Sequence, residues 1–320
     1  MALRTFDNLT VDPSGPKGNA WGLFGPNNEL GMLNLLTPET VRQAASEEIR
    51  TGIRFSLDLP LNRLQFPSFG RNAFAQELVN KAPRVVNDDI LTFNTQVATQ
   101  WDGFRHYGNH ETGLYFGGHT LEELKTSPVI GIDSWAKTGG IIGRGILIDY
   151  ATWAKKHSIP LSPFTSTPIP LTYIQQIAQE TNLQFRPGDI LFIRTGFTEA
   201  FDQLSEAEQR ALAARPVPAF SGLQNGEETL RWLWGNQFAA VAGDSPSFET
   251  APIVREDSPV EVSLHQWCLG NWGMPIGEYF DLEGVARYCA DMGRWSFFLS
   301  SVPLKVPGGV ASPPNAVAIF

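Results

Sequence analysis

The sequence predicts an α/β fold with a partly parallel or mixed sheet, and three observations predict it. Short apolar, β-branched runs at residues 145–149 (Gly-Ile-Leu-Ile-Asp), 188–195 (Gly-Asp-Ile-Leu-Phe-Ile-Arg-Thr) and 238–242 (Phe-Ala-Ala-Val-Ala) read as buried strands. Helix-start signals lie around them, at Thr120 with Glu123, Thr172 with Gln175 and Ser205 with Glu208. Strands alternating with helices imply the α/β class. With 42% hydrophobic and 18% charged residues, the 320-residue chain also has the material for a sizeable core.

Each element follows in order. Residues 1–20 are rich in Pro, Gly, Asn and Asp and read as an extended N-terminal arm. Thr37-Pro38-Glu39 starts a helix: threonine caps, proline fits the first position, and glutamate favours the positive end of the dipole. That helix is expected to run to about Gly52, a residue free to adopt the left-handed conformation that ends helices. Residues 53–62 then alternate apolar and polar, the period of a half-buried strand. The Pro- and Asn-rich stretch over 60–90 reads as a long surface insertion or dimer arm. No repeat, low-complexity segment or composition shift marks a linker, so one domain over 1–320 is expected.

Composition excludes several function classes. A formal charge of −9 argues against a nucleic-acid partner, and no basic cluster suits an anionic membrane. Two cysteines, Cys268 and Cys289, are too few for a disulfide framework and fit a reducing compartment. No apolar run is long enough to span a bilayer, and the first residues lack the apolar stretch of a secretory leader. A cytoplasmic protein with a small-molecule substrate is the expectation.

Five histidines are candidates for chemistry: His106, His110, His119, His157 and His265. His157, in Ala-Lys-Lys-His-Ser, reads as a polar helix end. His110 and His119 flank a glycine-rich loop that suits a lid or a surface turn equally. His106 differs because Asp102 precedes it by four residues. A carboxylate and an imidazole at that spacing can converge on one ligand, pairing an anionic group with one that titrates near neutrality. Cys268, three residues after His265, reads as a buried, inert thiol.

The stretch Gln96-Val-Ala-Thr-Gln100-Trp-Asp102-Gly-Phe-Arg-His106 resembles the signature of the cyclase family of kynurenine formamidases and isatin hydrolases, His-x-Gly-Thr-His-x-Asp-x-Pro-x-His. Thr99, Asp102 and His106 match it. Gln96 and Gln100 replace two metal-binding histidines, and Phe104 replaces the proline. His265 and Glu278 fall where that family closes its metal site. Residues 21–39, 188–197 and the Gly243-Asp-Ser-Pro-Ser247 turn are also similar, so the resemblance runs over roughly residues 20 to 310 in register. It implies the swivelling β/β/α (kynurenine formamidase-like) mixed sheet with surrounding helices. It also implies a homodimer or tetramer and a hydrolase of amide, lactone or cyclic imide bonds. His106 would move the proton, as the resemblance implies.

The two glutamines leave the mechanism open. Glutamine offers a metal only a neutral amide oxygen and cannot act as a base. A zinc site would suffer more than a manganese site, because the harder ion tolerates oxygen ligands better. If a divalent metal binds, Asp102, His265 and Glu278 are its expected ligands, with manganese favoured over zinc. If none binds, Asp102, His106, His265 and Glu278 form an acid–base cluster suited to a cyclase, isomerase or lyase of secondary metabolism. Gln96, Gln100, Trp101 and Tyr107 would then orient a substrate, and nearby aromatics (Phe104, Trp267, Trp272) suggest an aromatic or polyketide-like one. A third reading is a non-catalytic small-molecule-binding protein on the same fold.

Overall fold

The computed structural model describes residues 3–256 and 258–320, so Met1 and Ala2 of the expected arm lie outside the described residues. Among the described residues the strands are β1 Arg54–Ser56, β2 Ala75–Asn80, β3 Asn87–Thr92, β4 Gln100–Asp102, β5 Ile141–Asp149, β6 Pro168–Ile169, β7 Ile190–Arg194, β8 Gly222–Leu223, β9 Ala240–Gly243, β10 Ile276–Glu278, β11 Ser296–Ser301, β12 Ala311–Ser312 and β13 Ala316–Ile319. Nine of them form one mixed sheet in the order β1-β13-β11-β5-β7-β9-β10-β4-β12. Its centre, β5-β7-β9-β10, is parallel. Both flanks are antiparallel. Helices cover the sheet, as the α/β expectation required.

A parallel centre is covered on both faces, so its strands read as continuous apolar runs rather than alternating ones. All five residues of β7 are buried accordingly. The flanking β11 shows the other pattern: Phe297, Leu299 and Ser301 are buried, and the residues between them half-buried. The apolar strands recognised in the sequence are therefore the middle of the sheet.

Helix starts were legible and helix ends less so. Thr37 caps the helix Pro38–Glu48 by accepting the Thr40 N–H at 3.2 Å. Full capping boxes form at Thr120 with Glu123 and at Ser205 with Glu208. The first helix stops at Glu48, short of Gly52, because Glu48 turns inward. Its carboxylate accepts from Arg144, Arg294 and Ser296, and Ile49 is extended. Thr172 makes no cap, since Pro170 precedes the helix Leu171–Glu180 and Thr172 already lies in its first turn.

The strand expected over 53–62 shortens to β1. Of the insertion expected over 60–90, the surface part is the hairpin at 75–92, where β2 and β3 pair only with each other, from Ala75 opposite Thr92 to Asn80 opposite Asn87; Leu64 and Ser68 before it are buried. Leu78, Ile90 and Leu91 are exposed on that hairpin. No helix among the described residues is long and apolar enough to cross a membrane.

Where β1 leaves the sheet, Asp58 accepts the backbone N–H groups of Asn315 and Ala316 at 3.1 and 2.7 Å. Burial outweighs these bonds and raises its carboxyl to about 6. The folded chain then holds the proton more tightly than the unfolded chain does. The group's contribution to stability is full below the unfolded value of 3.8 and is lost as pH rises through about 6. Asp58→Asn should flatten the fall in thermal midpoint between about pH 4 and pH 7. An unchanged slope in that window would contradict the assignment.

Candidate active site

Two short strands and one irregular helix build the site. β4 and β10 pair antiparallel, with Gln100 opposite Glu278 and Trp101 opposite Gly277. Side chains alternate along a strand, so Gln100 and Asp102 share one face and Trp101 takes the other. A Cβ on Gly277 would lie 2.8 Å from the Trp101 ring and 2.5 Å from Phe280, so glycine is what admits the indole. Thr99 pins the start of β4: its hydroxyl donates to the Tyr279 carbonyl at 2.6 Å and accepts the Leu59 N–H at 2.7 Å.

The alternation corrects one expectation. Trp101 does not face a substrate; it is fully buried, stacks edge-on against Phe280 at 5.0 Å, and donates to Ser301 Oγ at 2.9 Å. Phe104, in place of the expected proline, packs between Phe116 and Trp135. Trp272 is likewise core, while Trp267 lies against Phe6 of the N-terminal arm. Tyr107 does line the site's cavity.

His265 leads into a π-helix, Gln266–Trp272. Such wide turns recur at functional sites because they re-aim side chains. Glu249, a residue the sequence reading passed over, fixes the orientation of His265. One carboxylate oxygen accepts the His265 backbone N–H at 2.8 Å, and the other meets Nδ1 at 2.6 Å. With Nδ1 engaged, Nε2 faces the site and lies 3.3 Å from Glu278 Oε1. Glu249 stands two residues beyond the Asp-Ser-Pro-Ser247 turn, which was its only sequence signal. That turn serves architecture. Its Asp244 accepts the backbone N–H groups of Thr195, Gly196 and Phe197, while Gly243 and Ser245 hold the backbone after β10. Tyr279, next to Glu278, takes a left-handed φ of 57°, local strain directly beside the buried carboxylate.

The glutamines bind the carboxylates. Gln96 Nε2 donates to Asp102 Oδ1 at 2.7 Å and lies 3.3 and 3.4 Å from the two ring nitrogens of His106. Gln100 Nε2 donates to Glu278 Oε2 at 2.7 Å. His106 Nε2 stands 3.8 Å from Asp102 Oδ2. Two buried oxygens in this cluster have no hydrogen-bond partner among the described residues, Asp102 Oδ2 and Gln100 Oε1.

Burial sets the electrostatics. It raises Glu278 to about 7, with the nearby Asp102 carboxylate adding to the effect and His265 opposing it. Burial also lowers His106 below the usual imidazole range, against the pull of Asp102. For His265, burial disfavours the charge, but Glu249 and Glu278 outweigh it and raise the group well above the ordinary value. Burial raises the Tyr107 hydroxyl to about 12. Cys268, buried and pushed well above the ordinary thiol range by that burial, has the inert character expected of it.

The donor set fits a divalent cation. One ligand atom each from Asp102, His106 and His265 lies within 4.8 Å of the others. Ligands around 2.1 Å from an ion sit at most roughly 4.2 Å apart, so a slight contraction would close the set. An unpartnered buried carboxylate oxygen is also what a cation would relieve. This set differs from the one expected. His106 joins it, while Glu278 accepts from Gln100 and lies 3.3 Å from His265 Nε2, outside the three-residue set. Above the cluster opens a cavity of about 480 Å³, whose wall includes Phe69, Arg71, Tyr107, Pro218, Pro252 and Ile253.

Comparison with known proteins follows the same line. A family model described as "Putative cyclase" matches residues 37–250. The crystal structure of a novel cyclase superposes with a TM-score of 0.81 at 26% identity, covering 94% of this chain and 99% of that chain. Isatin hydrolase A from Ralstonia solanacearum superposes at 0.61 with 16% identity, over 88% of this chain and 97% of that one. An isatin hydrolase bound to the product analogue thioisatinate gives 0.58 at 12% identity, over 87% and 95%. At such identities the isatin hydrolases speak for the shared fold alone. No match was found among curated proteins.

Proposed function

The chain belongs to the cyclase family, and we propose that it is a hydrolase of an amide, lactone or cyclic imide bond in a small aromatic molecule. One observation carries this reading: a buried cluster of carboxylates and imidazoles with two unpartnered oxygens lies at the floor of a cavity sized for such a molecule. Asp102, His106 and His265 would hold a divalent cation, with Gln100 Oε1 as a nearby neutral donor. When bound, that ion would polarise a carbonyl and lower the pKa of a water molecule.

The chain's own groups do the rest. Glu249 holds His265 so that Nε2 faces the site. Gln96 fixes Asp102 through Oδ1 and leaves Oδ2 open. Glu278, with a pKa near 7, carries a proton it can give to the departing nitrogen or oxygen, and Gln100 orients it. Phe69, Pro218, Pro252 and Ile253 give the cavity apolar surface against which an aromatic ring can pack.

A second reading rests on the glutamines. Their amide N–H groups satisfy one oxygen each of Asp102 and Glu278 without any ion. Asp102 Oδ2 and a neutral His106 would then take protons and Glu278 would supply one, which suits cyclisation, isomerisation or elimination.

One experiment separates the readings. The protein is purified without chelators or a polyhistidine tag after manganese and zinc supplementation, then assayed on an aryl formamide, a lactone and a cyclic imide. The hydrolase reading expects about one equivalent of metal per chain, lost in Asp102→Ala, and hydrolysis that stops on chelation. Manganese is the ion expected. Hydrolysis that survives thorough chelation would move the mechanism to the second reading, and no hydrolysis by metal-loaded protein would sink the first.

A further inference from the structure

Arg71 stands on the cavity wall with no carboxylate in ion-pair contact among the described residues. Three other buried or half-buried arginines meet carboxylates: Arg144 meets Glu48 and Asp189, Arg194 meets Asp149, Glu199 and Glu283, and Arg294 meets Glu48. Half-buried Arg105 instead spends its guanidinium on the Gly308, Leu124 and Ser127 carbonyls. Arg71 makes no ion pair among the described residues. Its one side-chain hydrogen bond there is from Nη1 to the Gln96 carbonyl at 2.8 Å. A guanidinium carries five N–H groups in a planar fork, so most of its donor capacity is free to face the cavity.

The local backbone presents this group deliberately. Phe69 and Gly70 both take left-handed φ angles, 60° and 66°, and the Arg71 N–H closes the turn onto Ser68. Positive φ costs a phenylalanine conformational energy that the surroundings must offset. The turn sets the Phe69 ring 5.0 Å from the Arg71 guanidinium, and both side chains line the cavity. The same cavity is bordered by the apolar groups Pro218, Pro252 and Ile253. His106, His265 and Glu278 also line it, so one cavity combines a cationic group, apolar surface and an acidic group.

We propose that Arg71 is the specificity-determining residue of this site, anchoring a carboxylate on an aromatic substrate whose ring lies against Phe69 and the proline wall. The inference deepens the hydrolase reading and rests on it for the word substrate. An anion could not approach Glu278 unassisted; Arg71 holds the negative group and leaves the scissile carbonyl toward His106, His265 and Glu278, which line the same cavity. A neutral ring compound would leave the fork unpaired, which a desolvated site penalises.

The test is binding, read independently of turnover. Benzoate, 2-aminobenzoate and 3-phenylpropionate, each with its neutral amide, are titrated into the full chain by calorimetry, alongside Arg71→Met and Arg71→Lys. Carboxylates should bind at least about tenfold more tightly than their amides. Arg71→Met should erase that preference while leaving amide affinity and thermal midpoint unchanged, and Arg71→Lys should restore part of it. Equal affinity for acid and amide, an equal loss of both in Arg71→Met, or no carboxylate binding up to about 10 mM would each overturn the proposal. A chain that selects carboxylates through Arg71 yet hydrolyses nothing would sink the hydrolase reading and leave this anchor standing. Hydrolysis without acid preference would do the reverse.

Discussion

A His106→Ala protein should turn over its substrate about 10²- to 10⁴-fold more slowly and fold normally. Both mechanisms require this, because His106 is a cation ligand in one and the neutral base in the other. Folding survives for a structural reason. The ring is 24% exposed, and its polar neighbours are the Gln96 amide and an Asp102 oxygen 3.8 Å away. Gln96 already donates to Asp102 Oδ1, so deleting the imidazole leaves that carboxylate supported. The check pairs steady-state kinetics with thermal denaturation. A variant with wild-type kcat, or one that loses activity only because its thermal midpoint collapses, would remove His106 from the chemistry.

Glu249→Ala should be the most destabilising single change in the site. It deletes both acceptors of His265 and leaves a buried imidazole that favours its charged form without its carboxylate. Breaking such a buried pair costs about 3–5 kcal/mol. At this chain length that corresponds to a drop in thermal midpoint of roughly 4–8 °C. Glu249→Gln separates orientation from stability. Its amide can still accept the backbone N–H, but an amide donor facing Nδ1 would drive the ring proton to Nε2. Nε2 would then point a hydrogen at Glu278 and at the cation site, so Glu249→Gln should fold yet lose metal and at least about 100-fold in kcat. Elemental analysis beside a melting curve reads both effects. Full metal occupancy in folded Glu249→Gln would reduce Glu249 to a packing role.

Much of this protein was written in short sequence patterns. The apolar runs at 145–149, 188–195 and 238–242 were legible as strands because a sheet centre covered on both faces demands unbroken hydrophobic runs. Thr37, Thr120 and Ser205 announced their helices because a cap is a local hydrogen bond. Asp102 and His106 were visible as a pair because they lie within one turn of chain, where the His106 N–H closes onto Gly103. Helix ends were less legible, since Glu48 stops its helix through distant arginines.

The sequence by itself determined the α/β class, the cyclase-family signature and six of the residues at the cluster, Gln96, Gln100, Asp102, His106, His265 and Glu278. Each of these is local or repeats a known pattern in order. Only the tertiary structure decided which side chains meet. Strand alternation and Gly277 turned Trp101 into the core. The pairing of β4 with β10 set Gln100 on Glu278 across 178 positions of sequence. The π-helix brought His265 to Glu249, and a strained turn brought Arg71 to the cavity wall. These contacts depend on register and on long-range burial, which cost chain entropy to assemble and leave no local spacing to read.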